Sequence, residues 1–400
     1  AVIDTATVNL YNPSSYASLV KGQPLFAIGM SSHFSKYNYQ NSSSYGRVVG
    51  LNQITMAMSV SKRFGLAFGL QPFSRRGYDI EQTILENGDS VRYNYTGSGS
   101  TQEVLGGLSY RILNMHRHQL SIGVNYAYIF GSVTNERRST FVEYDPIGGA
   151  DQRTYRLHGT RYTTGLNYAV MLDTTGNQYL RLGAVFSPEQ TLNAHREYFL
   201  YSSDDIEDPN VYDTLVAVLD DKGTITYPAN MAFGFSYSFR PKTNATSSRR
   251  HIYQLNVYGE YNTTLWSNYQ TSFDGEHTVG QFKDARRFSL GLQFSPNIET
   301  YNRNSGNSYI YRMRYRAGTY FGTMPNIENG TQLSEYGVTF GLGFPVASQR
   351  TNSSLNISVQ YGQRGTNEVN ALKEQFVSVN FGVILAPSSY DKWFKKYKLD

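Results

Sequence analysis

Large apolar residues recur at every second position in many short runs along the chain. Leu120, Ile122, Val124, Tyr126, Tyr128 and Phe130 share one face of an extended segment, against Ser121, Gly123, Asn125 and Ala127 on the other. Met231, Phe233, Phe235, Tyr237 and Phe239 oppose Ala232, Gly234, Ser236, Ser238 and Arg240 in the same way. Phe288, Leu290, Leu292 and Phe294 oppose Ser289, Gly291 and Gln293, and Tyr336, Val338, Phe340, Leu342 and Phe344 oppose Gly337, Thr339, Gly341 and Gly343. A period of two puts successive side chains on opposite faces of a strand. A soluble sandwich would show Lys, Glu, Thr and Arg on its polar face. Here that face is mostly Gly, Ser, Asn and Ala, which suits the interior of a barrel whose apolar face meets lipid. Tyrosines near the ends of the apolar faces fit an interfacial girdle. The pattern predicts an all-β chain folded as a transmembrane antiparallel β-barrel.

Candidate strands start near Leu25, Leu51, Gly65, Val91, His118, Arg153, Tyr179, Gly223, His251, Gln281, Tyr309, Gln332, Asn352 and Leu372, which makes about 14. An even number suits a bacterial single-chain barrel. The connections alternate as well. KRFG, NMHRH and DTTGNQ are short, whereas Asn41 to Gly50, Phe141 to Gln152 and Tyr201 to Lys222 are longer and acidic or Ser-rich. Short periplasmic turns and long outer loops would place both termini in the periplasm. The stretch from Pro296 to Ser308 is long on the side that should be short, and the pattern gives no reason for it.

Composition sharpens this reading. The chain has 34 Tyr, 22 Phe and 36 Gly, a bias toward pleated surfaces. Its mean hydropathy of -0.46 is that of a chain with half of each strand facing water. No run of about 18 apolar residues is present, so no transmembrane helix is expected. The absence of cysteine excludes disulfide and thiol chemistry and agrees with an oxidising compartment. A net charge of +5, with scattered basic residues, does not make a nucleic-acid-binding face. The first residue is Ala1 with no signal segment before it, which reads as a processed N-terminus.

Two motifs carry a family resemblance. YNPSSYASL, from Tyr11 to Leu19, precedes the first strand and PLFAIGMSSHF, and resembles the hatch motif of the FadL/TodX family of outer-membrane hydrophobic-compound channels. GLAFGLQPFSRRGYDI, from Gly65 to Ile80, resembles that family's Pro-containing third strand, whose kink opens the wall sideways. Pro72 cannot donate to a ladder and Gly77 adds freedom, so a break there is expected on independent grounds. The resemblance implies a hatch over residues 1–24, a barrel over 25–386 and a basic periplasmic tail over 387–400. It departs from the family in its short hatch and in the ending SSYDKWFKKYKLD, which follows the last strand, Phe376 to Leu385.

The resemblance assigns Asn12, Pro13 and Ser14 to a hatch or gate, and Pro72, Phe73 and Gly77 to a lateral opening. Asn-Pro equally starts an ordinary turn. Arg75 and Arg76 flank the kink, and a solvated loop face accounts for them equally. Arg312, Arg314 and Arg316 alternate and are expected on one lumen face, with Glu103, Glu260 and Glu335 as partners. They read either as a carboxylate-binding spot or as a network holding plug and wall together; the network has the better claim. His116 to His118 supplies too few ligands for a metal site. GxSxG, HExxH and phosphate-loop motifs are absent, and no Ser–His pair on the wall can be singled out.

The sequence thus predicts a non-enzymatic, cofactor-free channel in a Gram-negative outer membrane, embedded among lipid and lipopolysaccharide. Fatty-acid-like molecules would adsorb among the loops, shift the hatch and leave laterally near Pro72. The alternative is a FadL-like barrel subunit of an outer-membrane secretion or assembly complex, its tail from Lys392 to Lys398, with Trp393 and Phe394, docking a protein partner.

Overall fold

The computed structural model describes residues 8–39, 42–86, 88–141, 148–203, 211–241, 253–296, 309–348, 351–365 and 371–387. The basic tail beyond Pro387, most of the Pro296–Ser308 stretch and parts of the proposed outer loops lie outside these residues. A short 3-10 helix, Pro13–Ser18, comes first. The strands follow as β1 (Leu25–Tyr39), β2 (Ser42–Ser59), β3 (Phe64–Arg75), β4 (Tyr78–Glu86), β5 (Asp89–Asn114), β6 (His118–Phe141) and β7 (Gly148–Met171). The next are β8 (Gln178–Ser187), β9 (Gln190–Ser203), β10 (Val211–Tyr227), β11 (Asn230–Phe239), β12 (Gln254–Thr264), β13 (Gln270–Phe273) and β14 (Glu276–Val279). The chain finishes with β15 (Ala285–Ser295), β16 (Arg314–Glu328), β17 (Thr331–Ser348), β18 (Thr351–Gly365) and β19 (Lys373–Leu385).

All ladders are antiparallel, and β19 pairs with β1 from Phe26↔Leu385 to Asn38↔Lys373, which closes the barrel. Five walls are each made of two collinear segments: β3/β4, β8/β9, β10/β11, β12/β13 and β14/β15. Counted as walls, the barrel has 14 strands. Closure pairs every wall with its two neighbours along at least part of its length, the structural condition for crossing a membrane with strands.

The alternation read from sequence sets the two faces. Ile122, Val124, Tyr126, Tyr128 and Phe130 all point outward and stay exposed, as do Phe288, Leu290, Leu292 and Phe294. Their partners Ser121 and Asn125 are buried inside. The expected loops from Asn41 to Gly50 and Tyr201 to Lys222 are corrected in part, because β2 begins at Ser42 and β10 at Val211. Above the bilayer both faces of a strand meet water, so no apolar alternation marks it in the sequence.

Proline explains two of the five breaks. β8 stops at Ser187 and resumes as β9 at Gln190, across Pro188; β10 stops at Tyr227 and resumes as β11 at Asn230, across Pro228. The two interruptions face each other, with Ser187↔Asn230 on one side and Gln190↔Tyr227 on the other. Proline offers no ladder donor, so a side chain repairs the wall. Gln190 Oε1 accepts from the Tyr162 amide at 2.6 Å, and its Nε2 donates to the Tyr162 carbonyl at 3.1 Å.

Candidate functional site: a plugged lumen

The N-terminal segment enters the lumen and is held there from several walls. Asn12 caps the 3-10 helix, its Oδ1 accepting from the Ser14 amide at 3.1 Å and from Ser14 Oγ at 2.6 Å, while Pro13 takes the first helical position. Asn12 Nδ2 donates to the Leu166 carbonyl on β7 at 3.4 Å. The Tyr16 hydroxyl donates to Asn125 Oδ1 at 2.9 Å, and Asn125 Nδ2 returns to the Leu10 carbonyl at 2.7 Å. Ser109 on β5 accepts from the Ala17 amide and donates to the Ser14 carbonyl, each at 3.1 Å. Arg111 reaches the Ala17 carbonyl at 2.6 Å. Tyr16 is fully buried, and desolvation pushes its phenol well above its usual range.

The seat for this helix is a row of small residues in register across four walls: Gly65 on β3, Ser109 on β5, Gly123 on β6 and Gly165 on β7. A Cβ on Gly65 would lie 2.3 Å from the Tyr16 carbonyl carbon, and one on Gly123 would lie 2.4 Å from that of Pro13. One on Gly165 would lie 2.2 Å from Asn12 Oδ1. These are backbone or capped atoms that cannot swing aside. Leu10, Tyr16 and Leu19 then pack with Leu25, Ala57, Ala67, Leu105 and Ala127 into one buried cluster. Asn12, Pro13 and Ser14 are thus buried inside the barrel at the first turn of this segment. The row of glycines and Ser109 was not singled out in the sequence, although Gly123 lay in the small-residue face; only the register reveals that they form one trough.

Asn12 supports a direct test. Asn12→Ala removes the cap and the bond to β7, and is expected to weaken plug docking by about 1–2 kcal/mol. Hydrogen exchange at the amides of Ser15 and Leu19 should quicken roughly tenfold, with the wall ladders unchanged.

Above the plug the kinked third wall crosses the lumen. The β3–β5 register slips between Pro72 and Ser74, which turns Phe73 inward. Its ring lies 4.7 Å from that of Tyr227, on a strand that never pairs with β3. Tyr227 continues to Trp266 at 5.4 Å, and Trp266 to Phe282 at 5.9 Å and Tyr269 at 5.8 Å. Beneath Phe73, Glu103 is almost fully buried and accepts from Gln71 Nε2 at 2.5 Å, with Arg161 Nε at 3.4 Å. The Arg161 guanidinium also lies over the Phe73 ring at 5.5 Å. Gly77 falls between β3 and β4, as the expected break requires.

Two lumen cavities remain. One of about 510 Å³ lies between Tyr11, Arg161, Tyr227, Trp266 and Glu260. Another of about 790 Å³ is lined by Tyr11, Gln53, Glu260, Arg287, Arg316 and Asn356. Both are largely apolar but carry charged side chains, Arg161 and Glu260 in the first and Glu260, Arg287 and Arg316 in the second.

The arginine row is corrected. Arg312 belongs to a short 3-10 helix, Tyr309–Arg312, and only Arg314 and Arg316 lie on β16. A strand parity cannot extend into a helical turn. Arg316 donates to Gln293 and Asn356, both at 2.9 Å. The acids pair with other cations: Glu103 with Arg161, and Glu335 with Arg287 at 3.7 Å and Arg364 at 3.3 Å. Arg364 continues to Glu374 at 3.4 Å, and Glu374 to His33 at 3.5 Å. His33 Nδ1 is 2.5 Å from Ser378 Oγ, a Ser–His contact that the sequence did not reveal. The chain of charges runs over β15, β17, β18 and β19 to β1, across the seam where the barrel closes. It is the network reading of the lumen charges, built from different arginines.

Comparison with known proteins places this architecture. The toluene transporter TbuX of Ralstonia pickettii superposes with a TM-score of 0.56 at 12% identity, over 94% of this chain and 92% of that one. The toluene transporter TodX of P. putida gives 0.55 at 14% identity, over 94% and 92%. A FadL homologue of Pseudomonas aeruginosa gives 0.51 at 11% identity, over 95% and 92%. At these identities the likeness is one of fold. No protein of curated function matches the sequence. The model of one protein family, described as BamG, matches residues 1–400.

Proposed function

The chain belongs to the BamG family over residues 1–400, and we propose that it is a membrane-embedded barrel subunit of an outer-membrane assembly or secretion complex, with both termini in the periplasm. The observation that carries this is the plug seat. Three in-register glycines admit the Asn12–Tyr16 turn at distances that no side chain would leave open, and Ser109 beside them bonds it. A hatch built to move on ligand entry needs slack, whereas this one is held by hydrogen bonds from β5, β6 and β7. The aromatic bridge from Phe73 to Trp266 adds a second closure, and the cavities between carry charged side chains. FadL-like barrels also serve as complex subunits, so the fold accommodates this role.

A second reading keeps the FadL-like function: passive uptake of fatty-acid-like molecules with lateral exit. The break at Pro72 favours it, since the wall beside β3 parts there, and two of the similar structures are toluene transporters. Hydrophobic molecules gain by passing sideways into lipid.

One pair of measurements separates the two. Purification in mild detergent is expected to yield a stable complex with other envelope proteins. Liposomes holding the barrel alone should take up a fluorescent long-chain fatty acid no faster than empty ones. Uptake that falls with Pro72→Ala and responds to deletion of Asn12 to Ser14, in a protein that purifies alone, would reverse the order.

A further inference from the structure

The wall is parted between its second and third strands. β2 pairs with β1 from Ser42 to Ala57, but with β3 only from Ile54↔Leu70 to Ser59↔Gly65. Among the described residues, β3 above Leu70 pairs with β5 alone, and so does β4. The outer part of β2, Ser42 to Gln53, therefore has one edge without a ladder, about 40 Å long at 3.3 Å per residue. The divergence starts at a bulge, where the β1–β2 register slips and Asn52 is left over. Tyr45, Val48 and Val49 are all exposed, although Val48 and Val49 point to opposite faces.

The lowest part of this edge lies at membrane depth, because Leu51 pairs with Met30, an exposed apolar residue of the outward face. A row of free N–H and C=O groups is not tolerated there, and a lipid tail cannot supply partners. Arg75 fills the gap. A Cβ on Gly50 would lie 2.1 Å from Arg75 Nη1, so the guanidinium lies against the Gly50 backbone. Arginine offers donors but no acceptor, so the amides of the edge gain nothing from it.

We propose that the unpaired edge of β2 is a strand-addition site for an extended segment of a partner protein, which displaces Arg75 from Gly50. This rests on the complex-subunit reading above. Only a polypeptide supplies alternating donors and acceptors at strand spacing. Arg75 stands at the gap, so the incoming segment carries a carboxylate for it. Arg75 then stays paired after leaving Gly50.

The test is a proline scan of Val48, Val49, Gly50 and Leu51 in the full chain, expressed in its native membrane. Amides of alternate residues face β1 or the gap, so every second proline should leave the barrel folded, as judged by its heat-modifiable gel mobility. Those same variants should lose partner recovery tenfold or more, while alanine at each position keeps it within twofold. The chain has no cysteine, so single-cysteine variants at Tyr45 and Val48 give clean crosslinks. These should map to one extended, carboxylate-bearing segment of one partner, and they remain informative where a proline variant fails to fold. Partner recovery that ignores the fold-neutral prolines overturns the strand-addition site while leaving the subunit reading intact. A wild-type chain that recovers no partner overturns both. Crosslinks to a second copy of this chain, or prolines that change only fatty-acid uptake, also overturn the proposal.

Discussion

Gly123→Val is expected to expel the plug while leaving the barrel wall in place. The added Cβ would sit 2.4 Å from the Pro13 carbonyl carbon and 2.5 Å from the Ser14 amide nitrogen, on a strand fixed by ladders to β5 and β7. The wall cannot retreat without breaking long registers, so the short 3-10 helix has to leave. Overpacking of this kind costs about 1–3 kcal/mol or more when backbone atoms collide. The plug is held by a few hydrogen bonds and by the burial of Leu10, Tyr16 and Leu19, all of which depend on the turn keeping its seat. The steric penalty falls on every contact at once, because Asn12, Ser14 and Tyr16 are one rigid turn. In planar bilayers the variant should open a steady conductance at least tenfold above wild type, and the first twenty or so residues should become cleavable by added protease. Gly291→Ala is the control, since its nearest heavy atom lies 3.8 Å away and nothing has to move. A Gly123→Val barrel that stays closed and protected would mean the trough does not hold the plug.

The same plug shows where the sequence was legible and where it was not. The outward faces were readable because lipid demands large apolar groups at every second position, and Ile122 to Phe130 obey that rule without help from neighbours. The hatch and the kink were readable because Asn-Pro and a proline within a strand leave local marks. The trough was not, since Gly65, Ser109, Gly123 and Gly165 lie in four separate strands and become one feature only through register. The breaks at Pro188 and Pro228 were equally silent, because their alignment depends on which walls adjoin. Parity failed at Arg312 for a related reason: alternation continues in the sequence after the backbone has turned into a helix. It also grouped Glu103 and Glu335 on lumen faces, yet could not choose their ion-pair partners, which lie on β7, β15 and β18.

Those partners set up the second large effect, at the seam. Arg364 stands between Glu335 at 3.3 Å and Glu374 at 3.4 Å, and its guanidinium rests 4.5 Å from the centre of the Phe376 ring. Glu374 also accepts from Ser35 Oγ at 2.6 Å, so a single carboxylate links β18, β19 and β1. Replacing Arg364 by methionine keeps much of the stem's packing but leaves two partly buried carboxylates facing each other. Breaking one side of a buried pair costs about 3–5 kcal/mol, and the partial exposure of this arginine reduces that to about 2–3 kcal/mol. The loss falls on the ladder that closes the barrel, between β19 and β1. Arg364→Met should therefore lower the urea midpoint of the detergent-folded barrel and quicken its unfolding. Adding Glu374→Gln should restore more than half of the loss, because the remaining amide no longer repels Glu335. That recovery is what separates an ion pair from simple packing: a double variant as unstable as the sum of its parts would show that Arg364 acts through its contact with Phe376, not through its charge.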